Sequence, residues 1–237
     1  MDDRRRHVPF DPRHFEAQAR AGVRHSVADV FARIYHSNHW RGGASVSGEG
    51  SGRAQTWAVE EALPPLLRAL GADVLLDLPC GDFGWMQHVD LPVTRYVGAD
   101  IVPALIDRNT ARYADARRAF ALLDLTRDAL PAADVLLCRD CLVHLSFADI
   151  ARALANVRGS RIEYMLATTF PACPANEDAV TGDWRPLDLT RAPFSFPPPL
   201  GLIDERCTEG EGRFADKSLG LWRVADLPAP AAAVPRR

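Results

Sequence analysis

The chain has 237 residues, 47% of them hydrophobic, which suits one α/β domain with an added segment rather than two domains. Its 28 Lys and Arg residues nearly balance 31 Asp and Glu residues, so no broad basic surface for nucleic acid or an anionic membrane is expected. We predict a soluble, cytoplasmic protein for three reasons. The five cysteines lack the spacing of a disulfide scaffold, and no apolar run reaches the roughly 18 residues that cross a bilayer. The basic N-terminal residues are also not followed by the apolar run of a signal peptide.

Residues 1–53 are predicted to form an N-terminal arm, a helix and a glycine-rich connection. The first 25 or so residues are polar, which favours a loose arm or a short helix. A helix capped by Ser26 and ending near Tyr35 is expected, because apolar residues then recur at helical spacing: Val27, Val30, Phe31 and Ile34. The stretch RGGASVSGEGSGR, residues 41–53, follows it with five glycines.

The main domain is predicted to occupy residues 54–226 and to begin with a helix from about Ala54 to Leu70, stopped by Gly71. Trp57 is expected on the buried side of this helix. Pro64 and Pro65 predict a kink or a break.

Five short apolar runs follow, separated by stretches of helical character such as residues 103–116 and 146–157. Buried strands that alternate with helices predict right-handed βαβ units and a parallel sheet covered on both faces. The runs begin at Asp73, Arg95, Arg118, Ala133 and Ile162.

The alternation of strands and helices stops after Phe170. Residues 171–199 are rich in Pro and aromatic residues, which predicts an irregular insertion on the substrate side of the domain. Two closing strands are expected from Leu200 and from Ser218. The Ala- and Pro-rich residues 227–237 are predicted to be a disordered tail.

The sharpest motif is DVLLDLPCGDFGW, residues 73–85, in which an apolar strand ends at Asp77 and turns at Gly81 before a helix expected near Phe83. Doubly wound folds bind their cofactors at such a turn. The G-x-G-x-x-G spacing that suits a pyrophosphate is missing, so a non-phosphorylated adenosine compound is favoured.

Two further strands are predicted to end in carboxylates at the same edge. Asp100 lies 23 residues after Asp77, close to the spacing of roughly 20 at which an acid receives ribose hydroxyls. Asp124 follows the third strand, where a carboxylate can accept the adenine amino group. The alternative for any single Asp is a strand-terminating residue.

These residues, together with CRDCLVHL after the fourth strand, resemble class I S-adenosylmethionine (SAM)-dependent methyltransferases over roughly residues 55–225. The wider pattern, with HWRGGASVSGEGS, TGDWRPLDL, APFSFPPPL and DKSLGLW, is similar to a mostly uncharacterised bacterial subgroup of that family. The resemblance implies a Rossmann-like, seven-stranded, mostly parallel sheet with helices on both faces and the last strand antiparallel.

The resemblance also implies SAM as the cofactor and assigns residues to its parts. The methionine end would lie against Asp77, Pro79, Cys80 and Gly81, with Arg139 beside the sulfonium. Asp100 and Ile101 would hold the ribose, and Asp124 and Leu125 the adenine. Cys80, and either Asp82 or Phe83, stand where the family has its second and third glycines, so the turn is bulkier than usual.

Asp140 and His144 are the candidate catalytic residues. They share a face beside the cofactor if the segment is helical from about Asp140, and His144 then serves as a general base tuned by the carboxylate. The alternative for His144 is a packing role. Cys138 and Cys141 form a lone C-x-x-C, for which buried thiols rather than a zinc site are expected.

Trp184, Arg185 and Phe194 are the predicted substrate-binding residues, because aromatic side chains and an arginine beside the cofactor suit a small polar acceptor. A packed cover over the core is the alternative. The predicted function is methyl transfer to oxygen or nitrogen of a small molecule in a biosynthetic pathway. Two alternatives remain: a SAM-consuming enzyme that cyclises SAM to azetidine-2-carboxylate and releases methylthioadenosine, or a non-catalytic SAM-binding partner protein.

The glycine-rich stretch has no preceding strand, which excludes a phosphate loop. We predict an N-terminal helical lid in which Trp40 shields the sulfonium from water and Ser45 or Ser47 bonds the amino-acid end of the cofactor. A disordered connector is the alternative.

Overall fold

The computed structural model describes residue 11, residues 13–41, residue 43 and residues 45–229. The first ten residues of the predicted arm and residues 230–237 of the predicted tail lie outside this described part of the chain. Leu227, predicted to begin the disordered tail, is buried against the core.

Five α-helices form within the described residues: α1 His14–Arg20, α2 Val27–Ser37, α3 Arg53–Leu70, α4 Pro103–Tyr113 and α5 Phe147–Gly159. Short 3₁₀ helices lie between them: Glu49–Ser51, Met86–His88, Leu142–His144, Glu209–Gly212 and Val224–Asp226. The Ser26 hydroxyl caps α2 by accepting the N–H of Asp29, as the sequence predicts.

Seven strands form one sheet: β1 Val74–Asp77, β2 Arg95–Asp100, β3 Arg118–Leu122, β4 Val135–Cys138, β5 Tyr164–Thr169, β6 Gly201–Asp204 and β7 Ser218–Arg223. Their order is β3-β2-β1-β4-β5-β7-β6. β1 to β5 pair in parallel, and β7 inserts antiparallel to both β5 and β6. This confirms the predicted mostly parallel sheet with its last strand reversed.

Hydrophobic side chains cover the sheet on both faces. Successive residues of β1 point to opposite faces, so Leu75 packs with the core under α3 and Leu76 with the core under α5. The insertion at residues 171–199 forms no helix or long strand, as predicted, but Leu187 and Leu189 bury it firmly in the α5 core.

The helix α3 continues through Pro64 and Pro65 without a break, because Leu63 and Leu67 pack into the core on either side of them. The expected burial of Trp57 is wrong. Trp57 is 48% exposed rather than buried, because it lies off the apolar stripe of the helix.

No α-helix begins near Phe83, contrary to the prediction. Phe83 has φ +58°, which a helix start does not allow, and its ring is buried against Tyr96, Tyr113 and Phe120. The burial of this ring converts the expected helix into an extended turn that ends in the 3₁₀ helix Met86–His88.

Candidate functional site

A cavity lies at the carboxyl ends of the central strands, where the strand order reverses between β1 and β4. Its volume, including the open space at its mouth, is about 1100 Å³. Its walls include every residue predicted to contact the cofactor: Trp40, Ser47, Asp77, Pro79, Cys80, Gly81, Asp100, Ile101, Asp124, Leu125 and Arg139. The two predicted catalytic residues, Asp140 and His144, line it as well. Tertiary folding therefore brings residues from five separate parts of the chain to one space.

Gly81 allows the turn after β1 to approach the N-terminal segment. Its φ is +54°, and a Cβ at this position would overlap the Ser47 hydroxyl. Its N–H donates to Asp100 Oδ2 at 3.1 Å, and its carbonyl accepts Asn109 Nδ2 at 2.8 Å. The glycine is thus required both for backbone conformation and for close packing.

Asp77 and Asp100 are buried carboxylates at the ends of β1 and β2. Asp77 accepts the Tyr96 hydroxyl at 2.7 Å, and burial raises the pKa of Asp77 to about 7. Asp100 accepts the N–H of Val102 at 3.0 Å, and burial raises the pKa of Asp100 to about 6. Buried acids at a cavity wall are poised to bind hydroxyl or ammonium donors.

Asp124 is held by its own loop. Oδ1 accepts the backbone N–H and the hydroxyl of Thr126 at 2.9 and 2.6 Å, and Oδ2 lies 3.3 Å from Arg127 Nε. These contacts fix the carboxylate beside Leu125 in the cavity wall.

Residues of the N-terminal segment also line the cavity. Trp40, Val46, Ser47 and Ser51 line it. The segment is tied down at two points: Val46 N–H donates to Asp82, and the Gly50 carbonyl accepts Arg139 Nη2 at 2.9 Å. Ser45, the alternative to Ser47 in the prediction, is buried away from the cavity, where its hydroxyl accepts the N–H of Ser47.

Arg139 and Asp140 follow β4 directly. Arg139 is buried and pairs with Glu205 Oε2 at 2.6 Å. Burial acts to raise the pKa of Asp140, but Lys217 and Arg139 together hold it at about 2. The helix expected from Asp140 is absent: Asp140 has φ +52° and only the 3₁₀ helix Leu142–His144 follows.

His144 nevertheless reaches the cavity, where its ring stacks on Trp40 with the centroids 4.6 Å apart. Burial lowers the pKa of His144 to about 4, so the imidazole is neutral at physiological pH. Its Nδ1 has no hydrogen-bond partner within the described part of the chain. A neutral, buried imidazole at a cavity wall can accept a proton.

The three residues predicted to bind substrate do not line this cavity, because each takes part in packing. Trp184 packs edge-on against Phe214, with centroids 4.7 Å apart, and Phe194 against Phe147. Arg185 is buried and donates to the carbonyls of Leu142 and Leu145. Arg185 therefore braces the backbone on either side of His144, and the packed-cover alternative describes this region.

Sequence reasoning missed several residues that support the site. Asn109, fully buried on α4, orients Gly81, and no local pattern marks it. Lys217 contacts Asp140, and the only signal for it was its position in the motif DKSLGLW. Glu205 contacts Arg139 from a stretch with no recognisable motif.

Among the described residues, no group of three or more His, Cys, Asp or Glu side chains is placed to hold a metal ion. No helix in the same part of the chain is long and apolar enough to span a membrane.

No protein-family model and no curated protein sequence matches the chain. Solved structures resemble it in fold. Magnesium protoporphyrin IX methyltransferase from Synechocystis PCC 6803, solved with SAM, superposes with a TM-score of 0.58 at 12% identity, over 85% of this chain and 98% of that one.

Two further structures are similar over a smaller share of their own length. Human N-acetylserotonin methyltransferase in complex with SAM gives a TM-score of 0.51 at 13% identity, over 90% of this chain and 63% of that one. The pyocyanin biosynthetic protein PhzM gives 0.51 at 16% identity, over 72% and 55%. At these identities the likeness establishes the fold, and the chain has the class I SAM-dependent methyltransferase fold.

Proposed function

We propose that the chain is a SAM-dependent methyltransferase that transfers a methyl group to an oxygen or nitrogen atom of a small-molecule acceptor. The observation that carries the proposal is the convergence of Asp77, Asp100 and Asp124, with the Gly81 turn, on one cavity at the switch point of the sheet.

The charges around the cavity favour SAM over a phosphorylated nucleotide. Five carboxylates line it: Asp77, Asp82, Asp100, Asp124 and Asp140. Arg139 is the only Lys or Arg among the described lining residues, and Glu205 already neutralises it. A pyrophosphate would therefore meet repulsion, whereas SAM brings a sulfonium and an ammonium against a single carboxylate.

The residues present can hold each part of SAM. Asp100 offers an acceptor for ribose hydroxyls, and Leu125 an apolar contact for the adenine. Asp77 and the Gly81 turn would hold the amino-acid end, where Ser47 would supply a hydroxyl. When bound, SAM supplies an electrophilic methyl group.

His144 is the group best suited to take a proton from an acceptor hydroxyl or amine. It is neutral, lines the cavity and has an unpartnered Nδ1. Trp40 covers it from the N-terminal side, which keeps bulk water from the reacting atoms. Positioned bases contribute about 10²–10⁴-fold in rate when their pKa is near the operating pH, so His144, with a pKa of about 4, is expected at the lower end of this range.

Calorimetry with SAM, S-adenosylhomocysteine and NAD tests the cofactor. We expect SAM and S-adenosylhomocysteine to bind and NAD not to bind. Binding of NAD alone would overturn the proposal.

Product analysis tests the reaction. The protein is incubated with methyl-labelled SAM and a small-molecule extract, and the products are separated by mass spectrometry. We expect S-adenosylhomocysteine and a labelled acceptor. Methylthioadenosine formed from SAM alone would instead favour cyclisation, and tight SAM binding without turnover on any extract would favour a binding protein.

A further inference from the structure

Four charged side chains are packed together, two of them in the cavity wall and two behind it. We name Arg139, Asp140, Glu205 and Lys217 the ionic cluster. Lys217 Nζ donates to Asp140 Oδ2 at 2.7 Å and lies 3.6 Å from Glu205 Oε2, the oxygen that pairs with Arg139. Arg139, Glu205 and Lys217 are only 5%, 0% and 4% exposed, so solvent does not screen these pairs.

Lys217 is the only lysine in a chain that has 28 Lys and Arg residues in total. Every other basic side chain of this kind is an arginine, and Lys217 is as deeply buried as Arg139. Its compact ammonium reaches Asp140, Glu205 and also Glu209, 3.8 Å away. A planar guanidinium does not match three separate oxygens in this way, and Arg139 already occupies the adjoining space.

Asp140 is fixed from its backbone as well as from its side chain. Its φ of +52° is unfavourable for a residue other than glycine. Its N–H donates to Thr168 Oγ1 at 2.8 Å on β5, while Lys217 at the start of β7 holds the carboxylate. Surrounding structure thus maintains a strained conformation at the cavity, which is characteristic of functional sites.

A buried ion group of this size is weak evidence for stability, because desolvation of the charges offsets most of their attraction. Its position supports a role in the site instead. Both known contacts of the Asp140 carboxylate use Oδ2, and Asp140 lines the cavity. The ionic cluster therefore presents one oriented carboxylate to the ligand.

We propose that Lys217 is a positioning residue whose ammonium holds the Asp140 carboxylate in the cavity wall to receive the cationic amino-acid end of the cofactor. The assignment rests on the proposed function. It also gives a role to the motif DKSLGLW, which lies 77 residues beyond Asp140 in the chain and contributes no residue to the cavity lining.

The pH dependence of this arrangement follows from the groups that face Asp140. Arg139, Cys138 and His144 approach from the β4 segment, Lys217 from β7, and Glu205 and Glu209 from the connection between β6 and β7. Without Lys217, the cation nearest to Asp140 is Arg139, which is shared with Glu205. Burial then raises the pKa of the Asp140 carboxyl.

The test compares SAM affinity in Lys217→Met and the parent protein by calorimetry. We expect Lys217→Met to weaken SAM binding on the order of tenfold at neutral pH. Asp77 and Asp100 titrate in both proteins, so the informative quantity is the ratio of the two Kd values. This ratio should grow as the pH is lowered from about 8 to about 5.5, because Asp140 becomes protonated only in the variant.

Two controls distinguish an effect of Lys217 on Asp140 from a general effect of the substitution on the protein. In an Asp140→Asn background, adding Lys217→Met should give a Kd ratio that does not change with pH. Arg158→Met, which removes an exposed positive charge from α5, should leave both the affinity and its pH dependence at parent values. A Kd ratio for Lys217→Met that stays constant over this pH range would overturn the proposal.

A second measurement needs no substitution at Lys217. Protein labelled with ¹³Cε-lysine gives a single lysine side-chain resonance, because the chain has one lysine. We expect S-adenosylhomocysteine to shift this resonance and NAD to leave it in place. If the parent protein binds S-adenosylhomocysteine and the lysine resonance does not shift, the role of Lys217 is contradicted but the proposed function is not. If the parent protein binds neither SAM nor S-adenosylhomocysteine, both are contradicted.

Discussion

The Asp82 carboxylate accepts the backbone N–H of Val46 at 3.0 Å and so joins the turn after β1 to the glycine-rich N-terminal segment. Its second oxygen accepts the N–H of Gly84, also at 3.0 Å. One side chain therefore shapes the turn and holds a segment that lines the cavity. This hydrogen bond is a specific anchor for the proposed lid.

Asp82→Ala should weaken SAM binding by about tenfold, because a charge-assisted hydrogen bond contributes roughly 1.5–3 kcal/mol and the lid loses this anchor. Limited proteolysis should also cut within residues 45–52 faster than in the parent. Asp90→Ala is the matched control, since Asp90 is an exposed carboxylate a few residues further along the same connection. Equal SAM affinities for Asp82→Ala and Asp90→Ala would contradict the role of Asp82 as an anchor of the lid.

Trp40→Ala should weaken SAM binding severalfold, because the indole stacks on His144 and forms part of the cavity wall. Titration calorimetry measures the effect directly. Trp57→Ala provides the control, since Trp57 is 48% exposed on α3. If Trp40→Ala binds SAM with the parent affinity, the glycine-rich segment is a connector rather than a lid.

His144→Ala should lower turnover by about 10²-fold while changing the Kd for SAM little, because the proposed base acts on the acceptor. The pKa of His144 is lowered by burial to about 4, so kcat should show no loss from its protonation between about pH 6 and pH 8. Steady-state rates over this range check both statements. His88→Ala, at an exposed histidine, should behave as the parent, and similar rates for the two variants would assign His144 to packing.

Asp77 should make the ligand-free protein less stable as the pH rises. Burial raises the pKa of Asp77 from 3.8 to about 7, so between these values the folded protein holds a proton that the unfolded chain has lost. The free energy of unfolding therefore falls as the pH rises through this window. Asp100, raised to about 6, acts in the same direction.

Asp77→Asn should consequently raise the Tm of the ligand-free protein at about pH 8 by roughly 5 °C and weaken SAM binding. The amide oxygen can still accept the Tyr96 hydroxyl, so the variant keeps that contact. Asp107→Asn, on the exposed side of α4, should change neither quantity. Thermal melts of the ligand-free proteins decide, and a lower Tm for Asp77→Asn at this pH would contradict the buried-charge argument.

Gly182→Ala should loosen the N-terminal helices. Gly182 has φ +106°, and a Cβ there would overlap the side chains of Phe15 and Val30. The neighbouring Asp183 accepts the N–H groups of Phe15 and Glu16, each at 2.9 Å, so a displaced loop also releases the start of α1. Hydrogen exchange in residues 14–37 should be faster, whereas Gly159→Ala, where a Cβ meets open space, should leave it unchanged.

The strands and the strand-end acids followed from the sequence because their signals are local. Buried parallel strands appear as short apolar runs, and Asp77, Asp100 and Asp124 stand at or just after the ends of such runs. Parallel pairing then places these ends at one edge whatever the rest of the chain does. The acidic edge of the cavity was predictable for this reason.

The fate of the segment after β4 was not predictable from local signals. The spacing of Asp140 and His144 matched a helix, but Lys217 and Thr168, from distant strands, hold Asp140 in a left-handed conformation that a helix does not allow. Both residues still reach the cavity. Contacts from distant strands therefore replaced the predicted helix with a different backbone conformation, which also places Asp140 and His144 at the cavity.

The aromatic insertion shows the opposite outcome. Trp184, Arg185 and Phe194 look like ligand contacts in the sequence, since aromatic and basic residues serve both recognition and packing. Only the tertiary structure distinguishes the two uses, by directing Trp184 and Phe194 into hydrophobic clusters and Arg185 onto backbone carbonyls.

The sequence by itself determined the parallel sheet, its acidic edge and the glycine turn, because strand periodicity and turn chemistry are written in neighbouring residues. The tertiary structure decided which side chains support that edge. Lys217 beneath Asp140, Asn109 behind Gly81 and Asp82 against Val46 are pairs of residues far apart in the chain, and only the packed fold brings their charges and hydrogen-bonding groups within reach.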